Sequence, residues 1–301
     1  MKKTAIFISA LFVLSLVSLE TNAQQRIEIR AGDFSGMPRM EPVSKQILDN
    51  ARYRVYYRME FSQDVENLDL RTETQTILLI GERYSAFLDH NALRADSLMD
   101  AAYRSNAGLE ETIRALTLGG VVRFRTTVIK NYPERGSFTF QESIMTDEHR
   151  YVDNDVNISW TLVNEEREIA GHVARKATTT FRGRDYIAWF APSIPISEGP
   201  FVFSGLPGLI LEIYDTENHY RFTINGFAAA TEDTPIYLRN RNLVHSSRDD
   251  VRRMVRNLSE NPGMMLQALS GEVTINAPGM SNEEVQRRLN RPRPFNPIER
   301  Y

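Results

Sequence analysis

The chain has 301 residues, 42% of them hydrophobic and 25% charged, with a formal net charge of −3. Such a composition excludes a disordered or collagen-like chain, and the charge gives no general pull toward nucleic acid. The absence of cysteine excludes disulfides, thiolate metal sites, a cysteine nucleophile and a lipoprotein anchor cysteine.

Met1-Lys2-Lys3 is a basic start followed by an apolar stretch to Leu19 and by small residues ending at Ala23. This pattern predicts a Sec signal peptide over 1–23 with cleavage after Ala23, so that the protein is exported to the periplasm or beyond. No later stretch is long and apolar enough to cross a membrane as a helix, and the processed chain is not expected to be an integral membrane protein. Residues 24–50, with Gly32, Gly36, Pro38 and Pro42 and no clear period, read as an irregular leader. Residues 51–301 read as a single β-rich domain.

From Tyr53 to Phe61 apolar and polar residues alternate strictly, the signature of a half-buried strand. Thr74–Ile80 and Arg83–Asp89 predict a hairpin about Gly81-Glu82. Asn91–Ser105 and Leu109–Leu118 predict helices, the second ended by Gly119-Gly120. Strands then dominate: Val121–Lys130, Ser137–Met145, Arg150–Asp153, Ile158–Val163, His172–Phe181, Asp185–Phe190, Phe201–Ser204, Leu209–Tyr214 and Tyr220–Phe227. Their short Gly, Asn and Asp connections suit antiparallel pairing. Ser247–Glu260 and Glu283–Asn290 predict helices, the latter opened by the capping box Ser281-Asn282-Glu283-Glu284. Residues 235–301 carry 11 arginines against 7 acidic residues, an excess read as solvated helix faces. The expected fold is mainly β, a curved, largely antiparallel sheet or open half-barrel with a few peripheral helices.

Chemical motifs are mostly missing. There is no phosphate-binding glycine loop and no His-Glu-x-x-His. His149, His172 and His219 meet only if their strands are neighbours, and they read as surface or hydrogen-bonded histidines. Asp153-Asn154-Asp155 opens like a calcium loop. Ile158 then stands where glycine is needed and Asn164 where glutamate is needed, so a polar turn is the better reading. Val202 and Leu206 flank Ser204 where a nucleophile elbow needs glycines. Adjacent carboxylates such as Asp147/Glu148 point to opposite faces and make poor acid–base pairs. No cofactor or metal is expected.

The densest unusual segment is Tyr186–Tyr214, with four prolines before an aliphatic strand. Pro207 and Gly208 read as the central residues of a type II turn. The run Gly205-Leu206-Pro207-Gly208-Leu209-Ile210 resembles the signature of the GLPGLI family. Phe181-Arg182-Gly183-Arg184, Ala188-Trp189-Phe190, Ile194-Pro195-Ile196, Gly199-Pro200 and Asn296-Pro297-Ile298-Glu299 fit the same family. The resemblance implies an exported, β-rich protein of the Bacteroidetes group without agreed activity, some of whose relatives sit beside TonB-dependent outer-membrane receptors. It implies no catalytic residues. The signature reads first as turns that set the register of a central strand. A second reading makes Trp189, Phe190, Pro195, Phe201 and Phe203 a rigid crest facing a partner. The leading functional expectation is a non-enzymatic exported binding protein. Its partner is an outer-membrane receptor, or its ligand an apolar or peptide-like molecule in the concave face of the sheet. A periplasmic hydrolase with an unrecognised site is the alternative.

Overall fold

Alternating strands with short turns stack into one large sheet. In the computed structural model, which describes residues 41–145, 147–231, 233–263 and 281–301, a first meander runs through β2 (Tyr53–Ser62), β3 (Arg71–Ile80), β4 (Ser85–Asp89), β5 (Thr126–Lys130), β6 (Phe138–Ile144) and β7 (Asp147–Asp153). A second runs through β8 (Thr161–Ile169), β9 (His172–Phe181), β10 (Arg184–Ala191), β11 (Leu209–Asp215) and β12 (Tyr220–Ala229). Antiparallel pairing of β2 with β12 joins the two. The short β14 (Leu243–His245) adds to β7 in parallel, completing a 12-stranded open sheet whose other edge is β8. A separate antiparallel pair is formed by β1 (Lys45–Asn50) and β13 (Pro235–Arg239). The helices are α1 (His90–Arg104), α2 (Leu109–Gly119), α3 (Arg248–Glu260) and α4 (Asn282–Leu289).

The period-two pattern of β3 and β4 sends neighbours to opposite faces. Leu78, Ile80 and Phe87 enter the larger core, while Ile77, Leu79, Ala86 and Leu88 enter a second one. Ile236 and Leu238 of β13 cover that second face, so the middle of the sheet is buried on both sides. Strand-rich runs without polar alternation have this cause here.

The other face is curled around the loop between β10 and β11. Phe201 lies 6.0 Å from Phe140 of β6, Phe203 lies 6.0 Å from Phe181 of β9, and the two loop rings are 6.3 Å apart. In a flat sheet β6 and β9 would stand about 38 Å apart at ~4.8 Å per strand. The three ring contacts therefore require strong curvature, as expected for an open half-barrel. The ends are also clasped by charge. Arg182, in the β9–β10 turn, donates to Asp153 of β7 at 2.6 Å and to Glu299 at 3.0 Å, and Arg248 of α3 donates to the same Glu299 oxygen at 2.8 Å.

Several expectations need correction. The predicted irregular leader is a strand over Lys45–Asn50, paired with β13, which itself was not predicted. Residues 1–23, with the Ala23 cleavage site, lie outside the described residues, as does the leader up to residue 40. The strand predicted from Val121 begins only at Thr126. The reason is local: the amide N–H groups of Arg123 and Phe124 donate to the buried Asp89 carboxylate, at 3.0 and 3.1 Å, in place of a neighbouring strand. Asp89 also caps α1 through the Asn91 amide and accepts from Thr74. Finally, Phe201–Ser204 is a turn, with the Phe203 N–H donating to the Pro200 carbonyl, and not a strand.

A candidate ligand cavity beside the signature loop

The loop that leads into the signature is held by five hydrogen bonds from three side chains. Lys130 of β5 is 1% exposed. Its ammonium donates to Glu198 at 2.9 Å, to the Gly199 carbonyl at 2.7 Å and to the Phe203 carbonyl at 2.9 Å. Ser85 donates to the other oxygen of Glu198, and the Trp160 indole N–H donates to the Ser204 carbonyl at 2.8 Å. All three ammonium protons and both carboxylate oxygens thus have partners, the condition for burying an ion pair. Burial still lowers the Lys130 pKa.

The turn differs from the predicted type II geometry. The Gly208 N–H donates to the Leu206 carbonyl at 2.8 Å, a γ-turn centred on Pro207. Gly208 is required by space, because a Cβ there would lie 2.2 Å from the Ala191 carbonyl oxygen. Gly205 is required by conformation, at φ +95°, since a Cβ there would meet only ordinary contact with the Trp160 indole at 3.7 Å. Leu206, Gly208, Leu209 and Ile210 are buried, while Gly205 and Pro207 are exposed.

The partner-facing crest does not exist as such. Trp189 is 6% exposed, Phe190 1%, Phe201 2% and Phe203 0%; of the five crest residues Pro195 alone is exposed. Phe201 and Phe203 fill the concave face, and Trp189 lies under the Arg167 guanidinium, 4.1 Å from the ring centre. Phe201 and Phe203 are core because the loop folds inward, whereas Trp189 and Phe190 are covered as residues of β10, paired on both sides by β9 and β11.

The tail closes the concave face. Arg184 donates to Asp215 at 2.9 Å, to Asn296 at 2.5 Å and to the carbonyls of Pro297 and Ile298. Asn296 in turn donates to the Ser62 carbonyl and accepts the Tyr220 hydroxyl at its own carbonyl. The Phe-Arg-Gly-Arg and Asn-Pro-Ile-Glu segments, distant in sequence, are thus two halves of one contact.

Between the tail, α3 and the strands β5 to β7 lies a cavity of about 320 Å³. Phe124, Phe140 and Phe201 form its aromatic part, and Val255 and Leu258 of α3 face them. Phe138 and Phe181 are packed into the core instead. Its polar part holds Glu142, which accepts from the Thr126 hydroxyl at 2.5 Å, and Arg125. Burial raises the Glu142 carboxyl from the ordinary 4.5 to about 7, opposed by the Thr126 hydrogen bond and by the Arg125 charge. Burial lowers Arg125, with Glu142 opposing and the nearby Arg293 adding to the fall. Nothing in the sequence pattern singled out Glu142; only the curvature of the sheet turns this strand residue into a cavity wall.

The histidines stay apart. His149 meets Ser246 at 3.0 Å, and His172 meets Ser193 at 3.2 Å near the surface. His219 sits with Asp215 and Glu217 in a group whose ligand atoms lie within 4.8 Å of one another. That group is spanned by cations: Arg184 donates to Asp215 and to His219 Nδ1, and Arg300 pairs with Glu217. A guanidinium only donates, so His219 Nδ1 accepts and the ring is neutral, in keeping with its lowered pKa, set first by burial. The His219 group is thus a structural network of ion pairs and hydrogen bonds.

The fold defines a β-rich protein built on an open, mostly antiparallel sheet with a half-open cavity at its concave face. Residues 182–212 match the family model described as "Protein of unknown function (Porph_ging)", which bears out the GLPGLI resemblance through the segment that carries the signature. No curated protein matches. Two solved structures of PNGF-II, in different space groups, are similar over 68% of this chain at 10% identity and a TM-score of 0.46. The match covers 33% and 32% of those chains, so this chain spans about a third of their length. Among the described residues no helix is long and apolar enough to cross a membrane.

Proposed function

We propose that the chain is an exported, non-enzymatic binding protein whose ligand lies in the cavity between the sheet, α3 and the tail. One observation carries this reading: a space of about 320 Å³ stays open beside an interior otherwise filled by Phe201, Phe203 and their neighbours. An aromatic wall with a few convergent polar groups is the usual composition of a small-ligand site, and this volume is at the low end of such sites, roughly 300–1,000 Å³. The expected ligand therefore has an apolar body. Export is supported by the basic and apolar pattern of residues 1–23, and a receptor partner by the family resemblance alone.

The test is titration of the purified chain with a neutral solvatochromic dye such as Nile red, beside a Val255→Trp variant that fills the cavity. A single site of enhanced, blue-shifted emission that V255W abolishes supports the reading. Absence of binding, or binding that V255W leaves intact, overturns it.

A further inference from the structure

Resting on that reading, we infer that the cavity selects an aromatic ligand, a neutral body of about two rings, over a saturated one of the same skeleton. The argument starts with how the wall rings stand. Phe140 of β6 and Tyr151 of β7 are cross-strand partners, and Phe61 of β2 and Tyr220 of β12 are another such pair. Each pair is parallel. The first has its centres 5.0 Å apart at 5°, the second 5.9 Å apart at 7°. All four rings line the cavity. Side chains stand roughly perpendicular to a sheet, so rings stacked side by side along it turn their edges, and not their faces, to the space above.

The neighbouring rings already answer such edges. Phe201 stands at 67° to Phe140, 6.0 Å away, and at 83° to Phe124, 6.2 Å away. Phe124 in turn meets Phe87 at 65° and 5.8 Å. These contacts form a herringbone that runs from the core to the cavity wall, with electron-poor edges set against electron-rich faces. A ligand ring laid on the Phe140 and Tyr151 edges extends that pattern by one member, whereas a saturated ring has no such face to offer. One contact of this kind raises affinity about two- to twelvefold beyond the area it buries. The opposite wall is aliphatic, with Val251, Val255 and Leu258 of α3, and accepts either body alike. Thr126 and Glu142, in the polar part, bond to each other, and selection by rings needs no charge on the ligand.

Size sets the rest. A cavity of roughly 150 Å³ holds one benzene. The present one, at about 320 Å³, has room for about two fused rings. Phe295 adds a further ring from the tail, with the Arg256 guanidinium 5.7 Å from its centre.

The experiment is displacement of Nile red from the full chain by 2-naphthalenemethanol and by its decahydro analogue, two neutral alcohols of one carbon skeleton. It is repeated with Tyr151→Leu and with Phe295→Leu, both at half-buried positions. The expected result is half-displacement by the aromatic alcohol at a concentration at least fivefold below that of the saturated one. In Y151L, with an unchanged circular dichroism spectrum, that gap at least halves. F295L narrows it in the same way and carries the test if Y151L does not fold. A smaller gap in the wild type, preference for the saturated alcohol, or a gap that does not halve in whichever variant folds overturns the aromatic assignment while the cavity reading stands. Failure of the dye itself to bind overturns the cavity reading first, and the aromatic assignment with it.

Discussion

Glu142→Gln removes a cavity group poised to change charge near neutrality. In the unfolded chain this carboxyl loses its proton near the ordinary 4.5, whereas in the fold it does so at about 7. Below the lower value both states hold the proton and there is no penalty. Between the two values the folded state binds more protons than the unfolded, so stability falls as pH rises, and above about 7 the full penalty applies. The gap between 4.5 and about 7 corresponds to ~3 kcal/mol at most, at 1.36 kcal/mol per unit. The carboxyl is only half-buried and lines an open cavity, so water screens part of that, leaving about 1–2 kcal/mol. Glutamine keeps the shape and an acceptor for Thr126 but cannot ionise. Urea unfolding of both proteins at about pH 5 and about pH 8.5 isolates the effect, because pH-independent losses cancel in the difference. Glu148, also raised by burial, and the lowered His149 and His219 are common to both proteins. E142Q should gain about 1–2 kcal/mol on wild type between the two conditions. Parallel pH profiles would refute the placement of Glu142 as a desolvated cavity carboxyl.

Lys130→Met should cost about 3–5 kcal/mol in chemical denaturation, because it strands the Glu198 carboxylate and two loop carbonyls; a cost below ~1 kcal/mol would deny the clamp. Gly208→Ala should cost roughly 3 kcal/mol or more through collision with the Ala191 carbonyl, while Gly205→Ala should cost about 1 kcal/mol from its φ alone. Equal losses in the two melting curves would contradict that division of labour. Asn296→Ala, which removes the Arg184 and Ser62 contacts of the tail, should speed hydrogen exchange at Tyr220 and Phe61 with little change in β3.

Strands that bury one face, such as β2 and β9, were legible because each side chain repeats the same choice every second residue. The β3–β4 hairpin was legible for the same reason, and α1, α2 and α3 through their apolar spacing and caps. What escaped has specific causes. Arg123 and Phe124 have strand-like side chains, yet their amides are taken by Asp89, a tertiary partner no window of sequence contains. Phe201-Val202-Phe203 is apolar enough for a strand and is buried as fully as one, but as a loop swallowed by the curl of the sheet. The same curl inverted the meaning of the aromatic crest. β1 and β13 are short, find each other only in three dimensions, and carry the mixed polarity of a covering pair. Glu142 looked like any strand glutamate; its role depends on α3 and the tail arriving opposite it.

The joining of β2 to β12 has a consequence for time. Nine register pairs tie residues 53–61 to 220–229, while nearly every other ladder of the large sheet links neighbours along the chain. The two meanders gain their contacts after short loop closures, but the seam between them must wait for a search across most of the chain, and the loop carrying Phe201 and Phe203 has no complete cradle before it forms. Such non-local closure places folding in the slow range typical of β architectures, milliseconds to seconds. Until the seam is made, the edges of β2 and β12 and the inward aromatics are exposed together. The seam is therefore the stage at which the folding chain would be most open to association with its own copies or to capture by a holding chaperone.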